Sequence, residues 1–238
     1  MNGKAPKIEL LTAGQAKDVT LKIGGLVPLN LPKRFAQDFI CAPKEELPDL
    51  RHFIVPPHLE WKDFYQKYFG MNLDFSGLLL PFGRGIRSIV VPKDITLDLV
   101  FSKCREYFSC SSLWWGNDLS GAITVNDRNP EETYVILARN RQEADEELKN
   151  ISANKIREQG IQTITLLERL IFELKFLYET GHHLDVDNQT LCAGSRDSGG
   201  GVPDVGWFSG RLEVGCCGPA RAAPALRARA VVSFSLAA

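Results

Sequence analysis

The stretch from Thr165 to Thr180 specifies both of its own ends and one of its faces, and the rest of the chain must fold around it. Thr165 and Glu168 stand at capping-box spacing. The hydroxyl can accept from the amide three residues on, and the carboxylate can return the bond. Gly181 follows the last turn, where a left-handed residue ends a helix at little steric cost. Between these signals Leu167, Leu170, Ile171, Leu174, Leu177 and Tyr178 recur three and four residues apart. That spacing predicts an amphipathic helix whose apolar stripe packs against a sheet.

Strand-like runs that could supply the sheet lie on both sides. Ile86, Ile89, Val90 and Val91 form a short apolar run between Gly85 and Pro92. Tyr134 to Ala138 is continuously apolar, as expected of a strand covered on both faces. Thr96 can cap a helix carrying Val100, Phe101, Cys104, Tyr107 and Phe108 at helical spacing, and Ser152 can start a short one ending near Gly160. Upstream the signals thin out. Met1 to Leu31 reads as a leader or flexible arm. Residues 32–84 read as an irregular N-terminal subdomain with Pro43, Pro48, Pro56 and Pro57, in which only Trp61 to Phe69 is convincingly helical. Residues 85–238 read as one domain of the α+β class, with helices packed on a small, mostly antiparallel sheet.

Composition is ordinary for a globular protein, with 44% hydrophobic and 24% charged residues. The formal net charge of −1 supplies no field to steer the chain onto nucleic acid or an anionic membrane. The opening Met-Asn-Gly-Lys-Ala-Pro-Lys has no apolar core of signal-peptide length, and no later run suits a membrane helix. These features predict a soluble protein of cytoplasmic synthesis, without membrane insertion. The six cysteines, Cys41, Cys104, Cys110, Cys192, Cys216 and Cys217, have neither zinc spacing nor a disulfide framework, which predicts free thiols.

After Leu191 the residue usage changes. Gly, Ala, Ser, Arg, Pro and Cys dominate, and no Lys follows Lys175. Apolar residues still recur at strand spacing: Val202, Val205 and Trp207, then Leu212 and Val214, then Leu226, Val231 and Val232. Three short strands separated by loops account for the pattern. The residues between these anchors have a coding signature. Asparagine codons ending in C, randomised at both adenines, can yield a set that includes Gly, Ala, Ser, Asp, Cys, Phe, Pro and Arg, and Val and Leu as well, but never Lys, Gln, Met, Trp or Glu. From Gly194 onward only Trp207 and Glu213 fall outside that set. A GC-rich or frame-shifted segment would also produce Gly, Ala, Pro, Arg and Cys. The strand-like ending from Leu226 to Phe234 would be fortuitous in a scrambled frame.

Several stretches, in order, carry a family resemblance: Ala144-Asp-Glu-Glu-Leu-Lys-Asn150, Thr165-Leu-Leu-Glu-Arg-Leu170, Leu191-Cys-Ala-Gly-Ser-Arg196, Val202-Pro-Asp-Val-Gly-Trp207 and the final Leu226-Arg-Ala-Arg229. From about Gly85 to the C-terminus the chain resembles variable proteins of diversity-generating retroelements, which carry a C-type-lectin-like, formylglycine-generating-enzyme-like domain. The resemblance does not reach the N-terminal third. It implies a stable scaffold displaying variable side chains, with binding of a protein or other macromolecular ligand and no turnover, cofactor or metal. The ligand-facing residues it implies are Asp197, Ser198, Gly199, Asp204, Gly206, Phe208, Ser209, Gly210, Gly215, Cys216, Cys217, Ala220 and Arg221. Phe208 and Arg221 lead as contact candidates, because aromatic and Arg side chains are enriched in binding hot spots. The sequence departs from the pattern at Cys216 and Cys217, where an aromatic continuation of the strand is expected.

Other chemistry is thinner. His182, His183, Asp185 and Asp187 bring metal-ligand types together after the long helix and define an alternative, a metal-dependent hydrolase. Imidazoles exposed at a helix C-terminus explain the histidines without a metal. Gly199 to Gly201 lacks the Lys-Ser/Thr of a phosphate loop and reads as a turn. Ser195, Ser198, Asp197 and His182 lack a nucleophile elbow. Trp114 and Trp115 read as core anchors.

Overall fold

The computed structural model describes residues 57–76, 78, 80, 85–114, 118–129 and 131–235. The arm expected over Met1 to Leu31, the prolines up to Pro56 and Trp115 fall outside this set. Helix α1 (Pro57–Phe69) comes first, then strand β1 (Ile86–Val91) and helix α2 (Leu97–Tyr107). Strand β2 (Cys110–Ser112), the single turn α3 (Leu119–Ala122), β3 (Ile123–Asn126) and β4 (Tyr134–Arg139) follow. After α4 (Ala153–Glu158) comes the long α5 (Leu166–Thr180). The tail then forms β5 (Gln189–Leu191), β6 (Ser195–Asp197), β7 (Val202–Phe208), β8 (Arg211–Cys217), β9 (Leu226–Arg227) and β10 (Val231–Ser235). The class is α+β. No helix among the described residues is long and apolar enough to cross a membrane.

Among the described residues the strands make three sheets where one was expected. One has the order β1-β4-β10, a second β2-β8-β7-β5-β9, and a third joins β3 to β6. Pairing is mostly antiparallel, with β2 on β8 and β5 on β9 parallel. As its unbroken apolar sequence required, β4 is the middle strand of its sheet, and Tyr134 to Ala138 are buried. The expected third tail strand is divided. Leu226–Arg227 pairs with β5, while Val231–Ser235 crosses to the other sheet and pairs with β4. The break falls at Arg229, which is 1% exposed and whose guanidinium reaches inward rather than along a ladder.

Helix α5 has the caps the sequence specifies. Thr165 Oγ1 accepts from Glu168 N, Glu168 Oε2 accepts from Thr165 N at 2.8 Å, and Gly181 closes the helix with φ of 72°. Its burial exceeds a single stripe, because every residue from Leu166 to Phe176 is buried, Glu168, Arg169, Glu173 and Lys175 included. The helix is enclosed on several sides by α2, β1 and β7. Such enclosure is tolerable only because each buried charge has partners. Lys175 illustrates this: its ammonium pairs with Glu179 at 3.0 Å, donates to the Glu60 carbonyl at 3.2 Å and lies 4.8 Å from the Trp61 ring centre. Burial pushes that ammonium down from its ordinary range, partly offset by Glu179. Through these contacts, and through Trp61, Phe64, Tyr65 and Tyr68, α1 shares one apolar core with the strands after Gly85. A second, smaller core gathers Leu148, Ile156, Leu191, Val202, Cys217 and Leu226 beneath the tail sheet.

Candidate functional site

The tail folds, and what holds it is a buried polar frame that periodicity alone does not reveal. Asp185, fully buried with a left-handed φ of 52°, accepts from Arg169 Nε at 2.9 Å and from Arg229 Nη2 at 2.7 Å. Thr190 Oγ1 and the Ala144 amide complete its shell. Burial alone would raise the Asp185 carboxyl, but the Arg229 and Arg169 guanidiniums hold it below the usual carboxylate range. Arg229 also donates to the carbonyls of Arg141 and Gln142 at 3.0 and 2.7 Å, so the chain between β9 and β10 is latched to the segment before α4. Arg169 donates to Glu173 at 2.7 Å. Glu173 in turn meets His183 Nδ1 at 2.9 Å and accepts from Trp207 Nε1 at 3.3 Å.

Trp207 therefore ties the tail sheet to α5. Its ring lies 3.8 Å from His183 and 5.4 Å from Phe108, centre to centre, and its amide donates to the Asp185 carbonyl at 3.2 Å. The metal-ligand types that cluster in sequence do not converge in space. Asp185 is consumed by two arginines, His183 by Glu173 and Trp207, and His182 and Asp187 are exposed. Among the described residues no three His, Cys, Asp or Glu side chains are placed to hold a metal ion. Ser195 is fully buried, donating to Asn126 Oδ1 at 2.6 Å and accepting from the Leu166 amide at 3.0 Å. It pins β6 to the start of α5.

The residues expected to face a ligand separate by their pairing. In the β7–β8 ladder Val202 stands opposite Cys217, Asp204 opposite Gly215, Gly206 opposite Glu213 and Phe208 opposite Arg211. Paired positions share a face, so Asp204, Gly206, Phe208, Gly215 and Cys217 lie on one side of the sheet. Cys216 lies on the other, beside Pro203, and donates its thiol to Asp197 at 3.2 Å. The adjacent cysteines remain free thiols pointing to opposite faces. Burial and the Asp197 carboxylate push the Cys216 thiol up to about 12, and burial and Asp204 push that of Cys217 to about 11.

Along the strands the candidates fall at two ends, separated by the length of β7, roughly 20 Å at about 3.3 Å per residue. At one end is the tight hairpin Phe208-Ser209-Gly210-Arg211. Ser209 and Gly210 have φ of 49° and 80°, the conformation of a two-residue turn whose twist matches the strands. At the other end lie the Asp197–Gly201 turn and the loop from Gly218 to Ala225. Ser198, Gly199, Phe208, Ser209, Gly210, Ala220 and Arg221 are exposed.

Other candidates are committed to the scaffold. Asp197 Oδ1 accepts from the amides of Gly199 and Gly201 at 2.9 and 2.7 Å, shaping its own turn. Gly206 is buried, and a Cβ there would stand 2.9 Å from the Asn188 carbonyl oxygen. Gly215 admits the Asp204 carboxylate, whose Oδ1 would lie 2.8 Å from a Cβ. Cys217 belongs to the second core. Asp204 is mostly buried, which raises its carboxyl, and the nearby Arg221 and the Cys217 thiol partly restore it. Trp114, expected in the core, is partly buried against it.

The backbone of the long loop is held by main-chain bonds. Pro219 O accepts from the Asn154 amide at 3.0 Å, Ala225 O from Gln189 at 2.9 Å, Gly218 O from Arg221 at 2.9 Å and Ala223 O from Leu226 at 2.9 Å. No protein-family model, curated protein or solved structure matches this chain.

Proposed function

We propose that this chain is a non-enzymatic ligand-binding protein with a C-type-lectin-like domain, whose C-terminal surface is diversified by a retroelement. The main-chain stitching of the Gly218–Ala225 loop carries the reading. A loop fixed by its own carbonyls and amides keeps its path whatever side chains it bears, and exposed loops on a rigid scaffold are where recognition resides. The residue-type break after Leu191 supports it, because the exposed positions there belong to the set that adenine-directed randomisation generates. Ala220 and Arg221, with Ser198 and Gly199 on the neighbouring turn, are the contact positions best placed for such variation. Phe208 offers a second patch at the far end of the strand. The ligand is a protein or other macromolecule, chosen copy by copy.

The DNA around the gene provides the test. We expect a nearby template repeat that differs from the codons for Asp197 to Ala225 at adenines, together with a reverse-transcriptase gene. A repeat without adenine-directed differences and no reverse transcriptase in the neighbourhood would remove the reading.

A further inference from the structure

Away from the tail loops, the start of α2, the α3–β3 corner, β4 and the start of α5 line an open cup of about 530 Å³, within the range of small-molecule sites. None of the candidate recognition residues lines it. Its floor is apolar and set by regular elements: Ile95, Leu97, Ile123 and Leu167 are all buried. The polar wall is already neutralised. Arg128, with 8% of its side chain exposed, is bidentate on Glu168, and its Nη2 also donates to the Thr163 carbonyl at 2.6 Å. Tyr134 Oη donates to the same Glu168 at 3.0 Å. Two further carboxylates line the cup, Asp94 and Glu131, both exposed and neither accepting a side-chain hydrogen bond or ion pair among the described residues.

We propose that this cavity binds a small organic amine: an apolar body on the Ile95, Leu97, Ile123 and Leu167 floor, with its ammonium at the Asp94 and Glu131 carboxylates. The charge balance selects the sign. Arg128 is cancelled by Glu168, so Asp94 and Glu131 are the remaining charged side chains that line the cup. The floor selects the apolar body, because a ring can pack on four aliphatic side chains that are already shielded from water. The inference stands apart from the retroelement reading, since it uses neither the tail loops nor their variability.

Calorimetric titration of the full chain with phenethylamine, phenylethanol and phenylacetate tests it. These probes share one ring and differ in the charge of the head group. Phenethylamine is expected to bind most tightly, and its affinity to fall as salt screens the exposed carboxylates. The double variant Asp94→Asn, Glu131→Gln should weaken it about five- to tenfold while leaving phenylethanol unchanged. Ser120→Trp, at an exposed lining position, should abolish binding by filling the cup, with folding checked by circular dichroism. Equal affinity for phenylethanol and phenethylamine, tighter binding of phenylacetate, or no heat with any probe would each overturn the proposal.

Discussion

Arg229 and Arg221 belong to the same Gly/Ala-rich tail, yet they belong to different kinds of structure. Arg229 is 1% exposed and spends its donors on Asp185, Thr190 and two carbonyls. Arg221 is exposed on a loop whose backbone is closed by main-chain bonds, and its charge acts on the Asp204 carboxyl and the Cys217 thiol. The contrast shows that the tail is two interleaved sets of positions. One set, with Arg229, Trp207 and Gly206, carries the fold. The other, with Ser198, Gly199, Ala220 and Arg221, lies on it and leaves the backbone path unaffected.

The contrast can be broken most forcefully at Asp185. Asp185→Ala strands two buried guanidiniums, and a loss of about 3–5 kcal/mol is expected by urea denaturation. A loss under about 1 kcal/mol would mean the frame does not hold the tail. Next is Gly206→Ala, whose new methyl meets a backbone oxygen that cannot swing aside. We expect a loss of about 1–3 kcal/mol in the same measurement, and a neutral result would return Gly206 to the variable set.

A smaller, pH-dependent effect sharpens the boundary at Asp204. Its folded carboxyl is raised, so the folded protein binds a proton at a pH where the unfolded chain has released it. The stability this contributes is present below the ordinary carboxylate range and is lost as pH rises through the folded value. Asp204→Asn should therefore flatten the pH dependence of the unfolding midpoint as pH rises above the ordinary carboxylate range. A parallel pair of curves would show that Asp204 is freely solvated. The smallest effects belong to the exposed set: Ala220→Asp and Phe208→Ser should each shift stability by no more than about 0.5 kcal/mol. Larger losses at these sites would erase the distinction between scaffold and display.

Much of the framework was legible because it rests on local chemistry. Thr165, Glu168 and Gly181 end α5 through bonds to their own helix. Thr96 and Ser152 cap α2 and α4 in the same way, accepting from Leu99 and Lys155. The unbroken apolar run at β4 marked a strand covered on both faces. The short strands β2, β3, β5 and β6 were not legible, since three or four residues give too few alternations to register. The candidate site was half legible. Small, turn-compatible residues pointed to exposed loops, but residue type could not separate Ser198, which is exposed, from Ser195, which is a buried pin. Nor could it reveal that Asp185, grouped in sequence with His182, His183 and Asp187, faces two arginines from distant segments.

The sequence by itself determined the capped helices, the central apolar strand and the positions where the tail alternates between anchor and turn, because those signals act over a few residues along one chain. Only the tertiary structure decided that α5 is buried on every face from Leu166 to Phe176, that the last tail strand divides between two sheets, and that Cys216 and Cys217 face apart. Those outcomes follow from long-range pairing. Charges such as Arg169, Asp185 and Arg229 can leave water only once the fold has brought their partners within hydrogen-bond reach.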